Sequence, residues 1–264
     1  AFVTERGGKT SHAAILARAY GIPAVVGATG VLSALEAAGP HAQLALDGAT
    51  GEVLIAPDAA AVADLDARAE RFAEARSADL AEVSLPCVTR DGVEVTLLAN
   101  IGTPGEAAPA RALGARGVGL FRTEFLFLER SMPPSEDEQA AAYREAVEGF
   151  EGDPVTIRLL DIGGDKPIPY LPMPPEDNPF LGVRALRLAV DRPEIFVTQL
   201  RACYRAAVAG PVKVMAPMVA DAGDAALLLD LAARARDALR AEGVPFAEVD
   251  LGVMLEIPSA ILAA

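Results

Sequence analysis

The stretch VTIRLLDI, residues 155–162, is a nearly continuous apolar run that a pair of glycines follows directly. Four more runs of this kind occur in the chain: VTLLANI (95–101), GVGLFRT (117–123), VKVMAPMV (212–219) and DLGVMLEI (250–257). Stretches of helical character separate them, around 105–115, 135–150, 191–209 and 221–242. Alternating strands and helices, with strands that are apolar throughout, predict an α/β fold whose parallel sheet is buried on both faces.

The spacing of these strands favours a barrel. Five strands in roughly 170 residues extrapolate to about 250 residues for eight, the usual size of a (β/α)8 barrel. We therefore predict that residues 86–264 are the first five β/α units of a truncated (β/α)8 (TIM-type) barrel, with an open doubly wound sheet as the alternative. Ser135 to Glu138 fits a capping box, and Asp191 and Asp221 fit the starts of two other helices.

The first part of the chain has a different pattern. Residues 1–57 combine short β-branched runs with a helical stretch that ends at Gly21, which predicts a small β/α domain whose earlier part is missing. Residues 58–83 contain neither Gly nor Pro and are rich in Ala, Glu, Arg and Leu, so they predict a long helix. We place a helical linker at 58–85, between the two domains, and expect the chain to be a piece of a longer protein.

Composition excludes several classes of protein. With 23 basic and 37 acidic residues the net charge is 23 − 37 = −14, which opposes binding to nucleic acid or to an anionic membrane. No apolar run reaches the roughly 18 residues that a membrane-spanning helix needs. Two cysteines, Cys87 and Cys203, do not make a disulfide framework, and their surroundings predict core positions in a reducing compartment. We expect a cytoplasmic protein.

A glycine pair and a hydroxyl pair precede His12 in the motif Gly7-Gly8-Lys9-Thr10-Ser11-His12. The glycines allow a tight turn, and Thr10 and Ser11 can cap the helix that follows. The positive end of a helix dipole disfavours imidazolium, so we expect a neutral His12 with a lone pair available as a nucleophile. The free N–H groups of the first turn would stabilise a phosphoryl group once it is attached. A packed histidine without chemistry is the alternative.

Three arginines lie at matching places: Arg122 closes one strand run, Arg158 lies within the next, and Arg184 follows NPFLGV. The carboxyl ends of barrel strands converge on one mouth, where arginines can hold phosphate or carboxylate groups through paired hydrogen bonds. Because a buried arginine needs an anionic partner, Asp161 or Glu124 could take that place instead of a ligand.

Two polar features follow the later strands. The loop DIGGDKP (161–167) is a weak signal for phosphate binding, and it lacks the spacing of a P-loop. Glu256 is predicted to end the fifth strand, where its carboxylate suits a hard cation such as Mg²⁺. A glutamate paired with a neighbouring arginine is the alternative.

Five blocks of the sequence resemble a known family. GGKTSHAAILARAYGIPAVVG (7–27) resembles the phosphohistidine segment of the phosphoenolpyruvate (PEP)-utilising enzymes. The other four blocks, GVGLFRTEFLFLER, RLLDIGGDKPIPYL, NPFLGVRALRL and GVMLEIPSAIL, resemble its enzyme I branch, the PEP–protein phosphotransferases of the bacterial sugar phosphotransferase system.

That resemblance implies a function. Enzymes of this branch use Mg²⁺ to move the phosphoryl group of PEP onto a histidine, then pass it to the small carrier protein HPr. By motif position His12 would be the phosphoryl acceptor, and Arg122, Arg158 and Arg184 would hold PEP with help from Asn178. Glu256 would be one Mg²⁺ ligand. The resemblance also implies a swivelling phosphohistidine domain before the linker, and a homodimer formed through the barrel.

The chain departs from the family pattern by what it lacks: the HPr-docking subdomain and the last barrel strands, with the second Mg²⁺ ligand and a cysteine general acid. We therefore expect the fragment to be inactive alone. Four alternatives stay open. They are an enzyme of the pyruvate phosphate dikinase or PEP synthase type, a fused multiphosphoryl protein with HPr-like or sugar-specific modules outside this stretch, a PEP-responsive phosphohistidine regulator without enzymatic activity, and an unrelated β/α barrel lyase.

Overall fold

The computed structural model describes residues 1–8, 14, 17, 21–128, 130–163 and 168–263. The chain forms two compact units, Ala1–Glu82 and Val83–Ala264. Among the described residues, no helix combines the length and the hydropathy that crossing a bilayer would require.

In the first unit, the described residues include two small sheets and two helices whose bounds are defined. Strands β1 (Phe2–Thr4) and β2 (Ala24–Val26) are parallel, and β3 (Leu44–Asp47) and β4 (Glu52–Ile55) form an antiparallel hairpin. Helix α1 spans Val31–Ala38. Helix α2 spans Ala59–Glu82, which confirms the helix predicted over 58–83, and none of its residues is fully buried.

Local bonds attach α2 to the hairpin. The Asp58 carboxylate accepts a hydrogen bond from the Ala61 amide (2.8 Å) at the start of α2. Arg68 of α2 pairs with Asp47 (3.2 Å) and Glu52 (2.9 Å), the residues that end β3 and begin β4. The first turns of α2 are therefore part of this unit.

The second unit is built on a parallel sheet of five strands in the order β5-β6-β7-β8-β9. Its strands are Ala99–Ile101, Val118–Arg122, Val155–Arg158, Val212–Ala216 and Asp250–Val253. The strands follow one another in chain order, without the reversal of order that marks a doubly wound sheet. The predicted parallel sheet is therefore confirmed, although its strands are shorter than the apolar runs.

Helices connect the strands. They are α3 (Ala107–Ala112), α4 (Glu136–Gly149), α5 (Pro193–Ala206), α6 (Ala222–Glu242) and, after β9, α7 (Pro258–Ala263). Short 3-10 helices cover Pro104–Glu106, Thr123–Leu126, Ala185–Val190 and Ala207–Ala209. The core lies between the strands and helices α4 to α6, where the rings of Phe121 and Tyr143 meet edge to face.

Of the three helix starts predicted for this unit, two are confirmed. Ser135 and Glu138 form the capping box at α4, and the Asp221 carboxylate caps α6 through the amides of Gly223 and Asp224. The prediction for Asp191 is wrong. Its amide donates to the Leu188 carbonyl, so Asp191 ends the preceding 3-10 helix, and Arg192 takes the N-cap position of α5.

Two further expectations need correction. Cys203 is buried as predicted, but Cys87 is exposed. The run at 95–101 becomes a strand only from Ala99, because the Val95 amide bonds to the Cys87 carbonyl (2.8 Å) in a small antiparallel turn. Leu97 and Leu98 are about half exposed as a result.

Candidate active site

Arg122 and Arg158 are the last residues of the neighbouring strands β6 and β7, and they are register partners in the ladder. Arg158 was expected to lie inside a longer strand, but β7 ends at this residue. Arg122 is exposed, whereas Arg158 is buried. Because both strands run in the same direction, the two guanidinium groups start from the same edge of the sheet, the edge where α/β proteins place their ligands.

Arg158 pairs with carboxylates of this chain. Its Nη2 atom lies 2.6 Å from Oε1 of Glu124, and its Nη1 atom lies 3.7 Å from Oδ2 of Asp161. The side chains of Arg158, Glu124 and Asp161 are only 11%, 6% and 8% exposed. A buried guanidinium needs such partners, because leaving it unpaired in the interior would cost several kcal/mol.

Arg184 joins the same cluster from the loop that precedes the 3-10 helix Ala185–Val190. Its Nε and Nη2 atoms lie 3.1 and 2.8 Å from Oδ1 of Asp161. The Phe180 ring stacks on its guanidinium at 4.6 Å, and the Ala185 amide donates to the Ile162 carbonyl beyond β7. Asp161 therefore lies between two arginines, each from a different part of the chain.

Arg122 adds a further cation beside the cluster. Among the described residues, Arg158 pairs with Glu124 and Arg184 pairs with Asp161, whereas Arg122 stands at the end of the neighbouring strand β6. Arg122 makes no ion pair with any described residue. The internal partners considered from sequence, Glu124 and Asp161, are thus present, and they compensate two of the three guanidinium groups.

One buried donor in the cluster is unsatisfied. The Nε atom of Arg158 has no hydrogen-bond acceptor within the described part of the chain, although it is shielded from solvent. An unpaired buried donor costs about 1–3 kcal/mol, so an acceptor brought to this atom would recover that cost. The arrangement therefore suits an anionic ligand.

Asn178 lies outside this cluster. It is exposed on the loop before Arg184, where its backbone carbonyl accepts from the Leu181 amide (3.0 Å). No hydrogen bond joins its side chain to the arginines in the residues that are described. The structure thus places Asn178 in the expected loop but does not bring its amide onto the arginines.

The sequence predicts that Glu256 ends the fifth strand. In the structure β9 ends at Val253, and Glu256 lies three residues beyond it. Its Oε1 atom accepts a hydrogen bond from the backbone amide of Met218 (2.8 Å), which follows β8. Met218 has left-handed backbone geometry, with φ of 60°. The ends of β8 and β9 are therefore joined through the Glu256 carboxylate.

The residues present fit one part of a Mg²⁺ site. Within the described ranges, no group of three His, Cys, Asp or Glu side chains could enclose a metal ion. Mg²⁺ is commonly bound by one or two carboxylates together with substrate phosphates and water. With Oε1 held by Met218, the other oxygen of Glu256 can serve as one such ligand.

Two predicted motifs lie outside the described residues. They are His12, within 9–13, and the end of the DIGGDKP loop, at 164–167. Of the predicted helix before Gly21, Ala14 and Ala17 are described and both are helical.

A buried polar network lies behind the arginines and is not predicted from the sequence. Thr123, Tyr143 and Gln199 are each 0% exposed, and Nε2 of Gln199 donates hydrogen bonds to both hydroxyls. A signal for Gln199 was available, because it lies three residues after Phe196 and four before Cys203, on the apolar face of a predicted helix. A lone amide on such a face needs partners inside the protein.

Comparisons with known proteins show the family to which this chain belongs. Residues 75–264 match the PEP-utilising enzyme, PEP-binding domain family, and residues 1–51 match the PEP-utilising enzyme, mobile domain family. The chain belongs to the PEP-utilising enzyme family. The resemblance stated from sequence is thereby confirmed.

Relatives of this PEP-utilising enzyme chain are similar over its whole length. It is 44% identical to a phosphoenolpyruvate-protein phosphotransferase of Geobacillus stearothermophilus and 45% identical to that of Staphylococcus carnosus, covering 100% and 98% of this chain. It is also 44% identical, over 99% of its length, to a multiphosphoryl transfer protein of Rhodobacter capsulatus. The chain spans 45% of the first two relatives and 31% of the third.

Proposed function

We propose that this chain carries the phosphohistidine and PEP-binding parts of a PEP–protein phosphotransferase. The observation that supports this most directly is the buried cluster of Arg158, Glu124, Asp161 and Arg184 beside Arg122, at the carboxyl edge of the parallel sheet. The exposed Arg122, and an Arg158 Nε atom that has no acceptor among the described residues, suit a small ligand with several negative charges.

The domain organisation is part of this proposal. Residues 1–57 form the later part of the phosphohistidine domain, 58–85 the linker, and 86–264 the first five units of a (β/α)8 barrel. The family matches at 1–51 and 75–264 support this division. The unbroken strand order β5 to β9 supports a barrel, since barrel strands follow chain order.

In the proposed reaction the arginines bind and orient PEP. Arg122, Arg158 and Arg184 neutralise its phosphate and carboxylate, and Asn178 contributes from its loop. A ring nitrogen of neutral His12 attacks phosphorus, and the bond from phosphorus to the enol oxygen breaks. The enolate that leaves takes up a proton to become pyruvate. Phosphoryl transfer of this kind requires mainly positioning and charge neutralisation from the protein.

Mg²⁺ is the proposed cofactor, with Glu256 as one of its ligands. When bound, the ion supplies further neutralisation of phosphate charge. The contribution of this chain is to fix the Glu256 carboxylate through the Met218 amide. The phosphoryl group then moves from His12 to a histidine of the carrier protein HPr.

The test is phosphoryl uptake by the full-length gene product. After incubation with PEP and Mg²⁺, intact mass spectrometry should show one acid-labile phosphoryl group, and added HPr should remove it. The chain contains two histidines, His12 and His41, so His41→Ala is a matched control for His12→Ala. A phosphoryl group that is present in the wild type and in His41→Ala but absent in His12→Ala supports the proposal.

Other outcomes contradict the proposal in distinguishable ways. Absence of label, or label that persists in His12→Ala, overturns the phosphohistidine mechanism. Label that HPr does not remove indicates the PEP-responsive regulator. Label obtained from ATP and phosphate without PEP indicates the dikinase type.

A further inference from the structure

Gln199, on helix α5, joins the chain segments that follow strands β6 and β7. Its Oε1 atom accepts a hydrogen bond from the Leu160 amide (2.9 Å), two residues beyond β7. Its Nε2 atom donates to the hydroxyl of Thr123 (3.0 Å), the first residue after β6. One side chain thus bonds to both segments.

These bonds occur where the backbone ladder stops. The last register pair between β6 and β7 is Arg122 with Arg158, and from Thr123 onward the chain turns into a 3-10 helix. Beyond that pair, the Thr123 hydroxyl donates to the Arg158 carbonyl (2.7 Å) and Gln199 bridges Thr123 to Leu160. Side chains therefore hold the two segments together after the strand pairing has ended.

The network is complete, so its orientation is fixed. The second hydrogen of Gln199 Nε2 goes to the Tyr143 hydroxyl (3.0 Å), which donates to Oε1 of Gln139 (3.3 Å). The Gln139 amide in turn donates to the Pro134 carbonyl (3.0 Å). Because the Leu160 amide is a donor, a flipped side-chain amide of Gln199 would place its NH2 group against that N–H and lose this bond.

The charged residues of the site lie next to these anchor points. Arg122 and Glu124 flank Thr123 in the chain, and Asp161 directly follows Leu160. A shift of either segment would change the distance between Arg158 and Glu124, or between Asp161 and Arg184. A misplacement of about 1 Å in such a site can reduce the rate roughly a hundredfold.

We propose that Thr123 and Gln199 are positioning residues, which set the spacing of Arg158 and its carboxylate partners for PEP. This inference rests on the proposed function, because PEP is the ligand whose binding reports the spacing. Neither residue is expected to touch the substrate, since both side chains are completely buried behind the sheet edge.

The chain offers a matched pair of variants. Thr123→Val and Tyr143→Phe each remove one fully buried hydroxyl, and each hydroxyl donates one hydrogen bond and accepts one from Gln199. Both should lower the melting temperature by similar amounts. Only Thr123→Val releases the Arg158 carbonyl, because the Tyr143 hydroxyl lies on the helix side of the network.

The experiment measures KM for PEP, kcat and melting temperature in the full-length gene product. Thr123→Val should raise KM for PEP about tenfold, as loss of an orienting outer partner typically does. Tyr143→Phe should leave KM unchanged, and Thr123→Ser, which keeps the hydroxyl, should restore it. Gln199→Met, which removes the side-chain amide but leaves the Thr123 hydroxyl, should also raise KM for PEP. If Thr123→Val does not fold, the KM of Gln199→Met decides whether these residues position the site.

Equal changes in KM for Thr123→Val and Tyr143→Phe, or an unchanged KM in both Thr123→Val and Gln199→Met, would overturn the inference while leaving the proposed function intact. A wild-type protein that takes no phosphoryl group from PEP overturns the proposed function, and the inference fails with it.

Discussion

The Nη2 atom of Arg158 lies 2.6 Å from Oε1 of Glu124, and both side chains are almost completely buried at the carboxyl ends of neighbouring strands. Arg158 therefore has an anionic partner before any ligand arrives. The pair orients the guanidinium, while its Nε atom remains without an acceptor among the described residues. Stability and ligand binding thus depend on the same side chain.

Removing the carboxylate tests the structural part of this arrangement. Glu124→Ala should lower the free energy of unfolding by about 3 kcal/mol, because it leaves the buried charge of Arg158 with only the more distant Asp161. Urea unfolding followed by circular dichroism measures the change. The control is Glu248→Ala, which breaks an exposed pair with Arg236 (3.2 Å) and should cost at most about 1 kcal/mol. Equal losses of unfolding free energy in the two variants would contradict the conclusion that Glu124 compensates the buried charge of Arg158.

Replacing Arg158 tests the binding part. In Arg158→Lys the ammonium group can still pair with Glu124, but it cannot also present the second donor that Nε provides. A hydrogen bond to a charged group contributes about 1.5–3 kcal/mol, so kcat/KM for PEP should fall about ten- to a hundredfold. Initial rates of pyruvate release from the full-length gene product give this value. The control Arg236→Lys, on an exposed surface, should have the kcat/KM of the wild type. An unchanged kcat/KM in Arg158→Lys would exclude Nε of Arg158 as a donor to the ligand.

The sequence predicts the parts of this site that depend on local pattern. A continuous apolar run identifies a buried parallel strand, so the positions of Arg122 and Arg158 at one sheet edge follow from their place in two such runs. Glu124 and Asp161 could be named as possible partners for the same reason. The choice between internal pairing and ligand binding could not be made, because it depends on distances between segments that are far apart in the chain.

Other features depend on tertiary contacts that no pattern contains. The contact of Arg184 with Asp161 requires the path of the loop over 172–183, which has no periodicity. Asp191 has the composition of a helix cap, but a 3-10 helix ends there first. Cys87 is exposed because its segment pairs with residues 93–95 in a small turn, although its neighbours are apolar.

The capping box of α4 predicts how the free energy of unfolding depends on pH. Hydrogen bonds from the Arg130 guanidinium (2.8 Å) and from the amide and hydroxyl of Ser135 lower the pKa of Glu138 from 4.5 to about 2. A carboxylate whose pKa is lower in the folded state stabilises the protein fully above pH 4.5, and this contribution is lost as the pH falls towards 2. The free energy of unfolding should therefore rise with pH across this range, partly through Glu138.

Urea unfolding at a series of pH values between 2 and 6 checks this. The difference between wild type and Glu138→Gln should be largest above pH 4.5 and should vanish near pH 2. Glu148→Gln, at an exposed position of the same helix, should show no such trend. A difference for Glu138→Gln that does not vary with pH would contradict the lowered pKa.

The backbone of another segment lies close to Gly114, so the methyl group added in Gly114→Ala should lower the free energy of unfolding markedly. Gly114 has φ of +89°, and a Cβ atom there would clash with the Val83 carbonyl oxygen. Gly152 has φ of +106° but open space around it. Both Gly→Ala substitutions incur the strain of a left-handed backbone, about 1–2 kcal/mol, and only Gly114→Ala adds the clash. Its free energy of unfolding should fall by at least about 1 kcal/mol more than that of Gly152→Ala.

Thermal and urea unfolding of the two variants decide this prediction, because the backbone strain common to both substitutions cancels in the comparison. A larger cost at Gly114 means that the chain just after α2 is packed tightly against the turn that follows α3. Equal costs at the two glycines would mean that the segment at Val83 moves away from the added methyl group at little expense, so that the second unit would not depend on this contact.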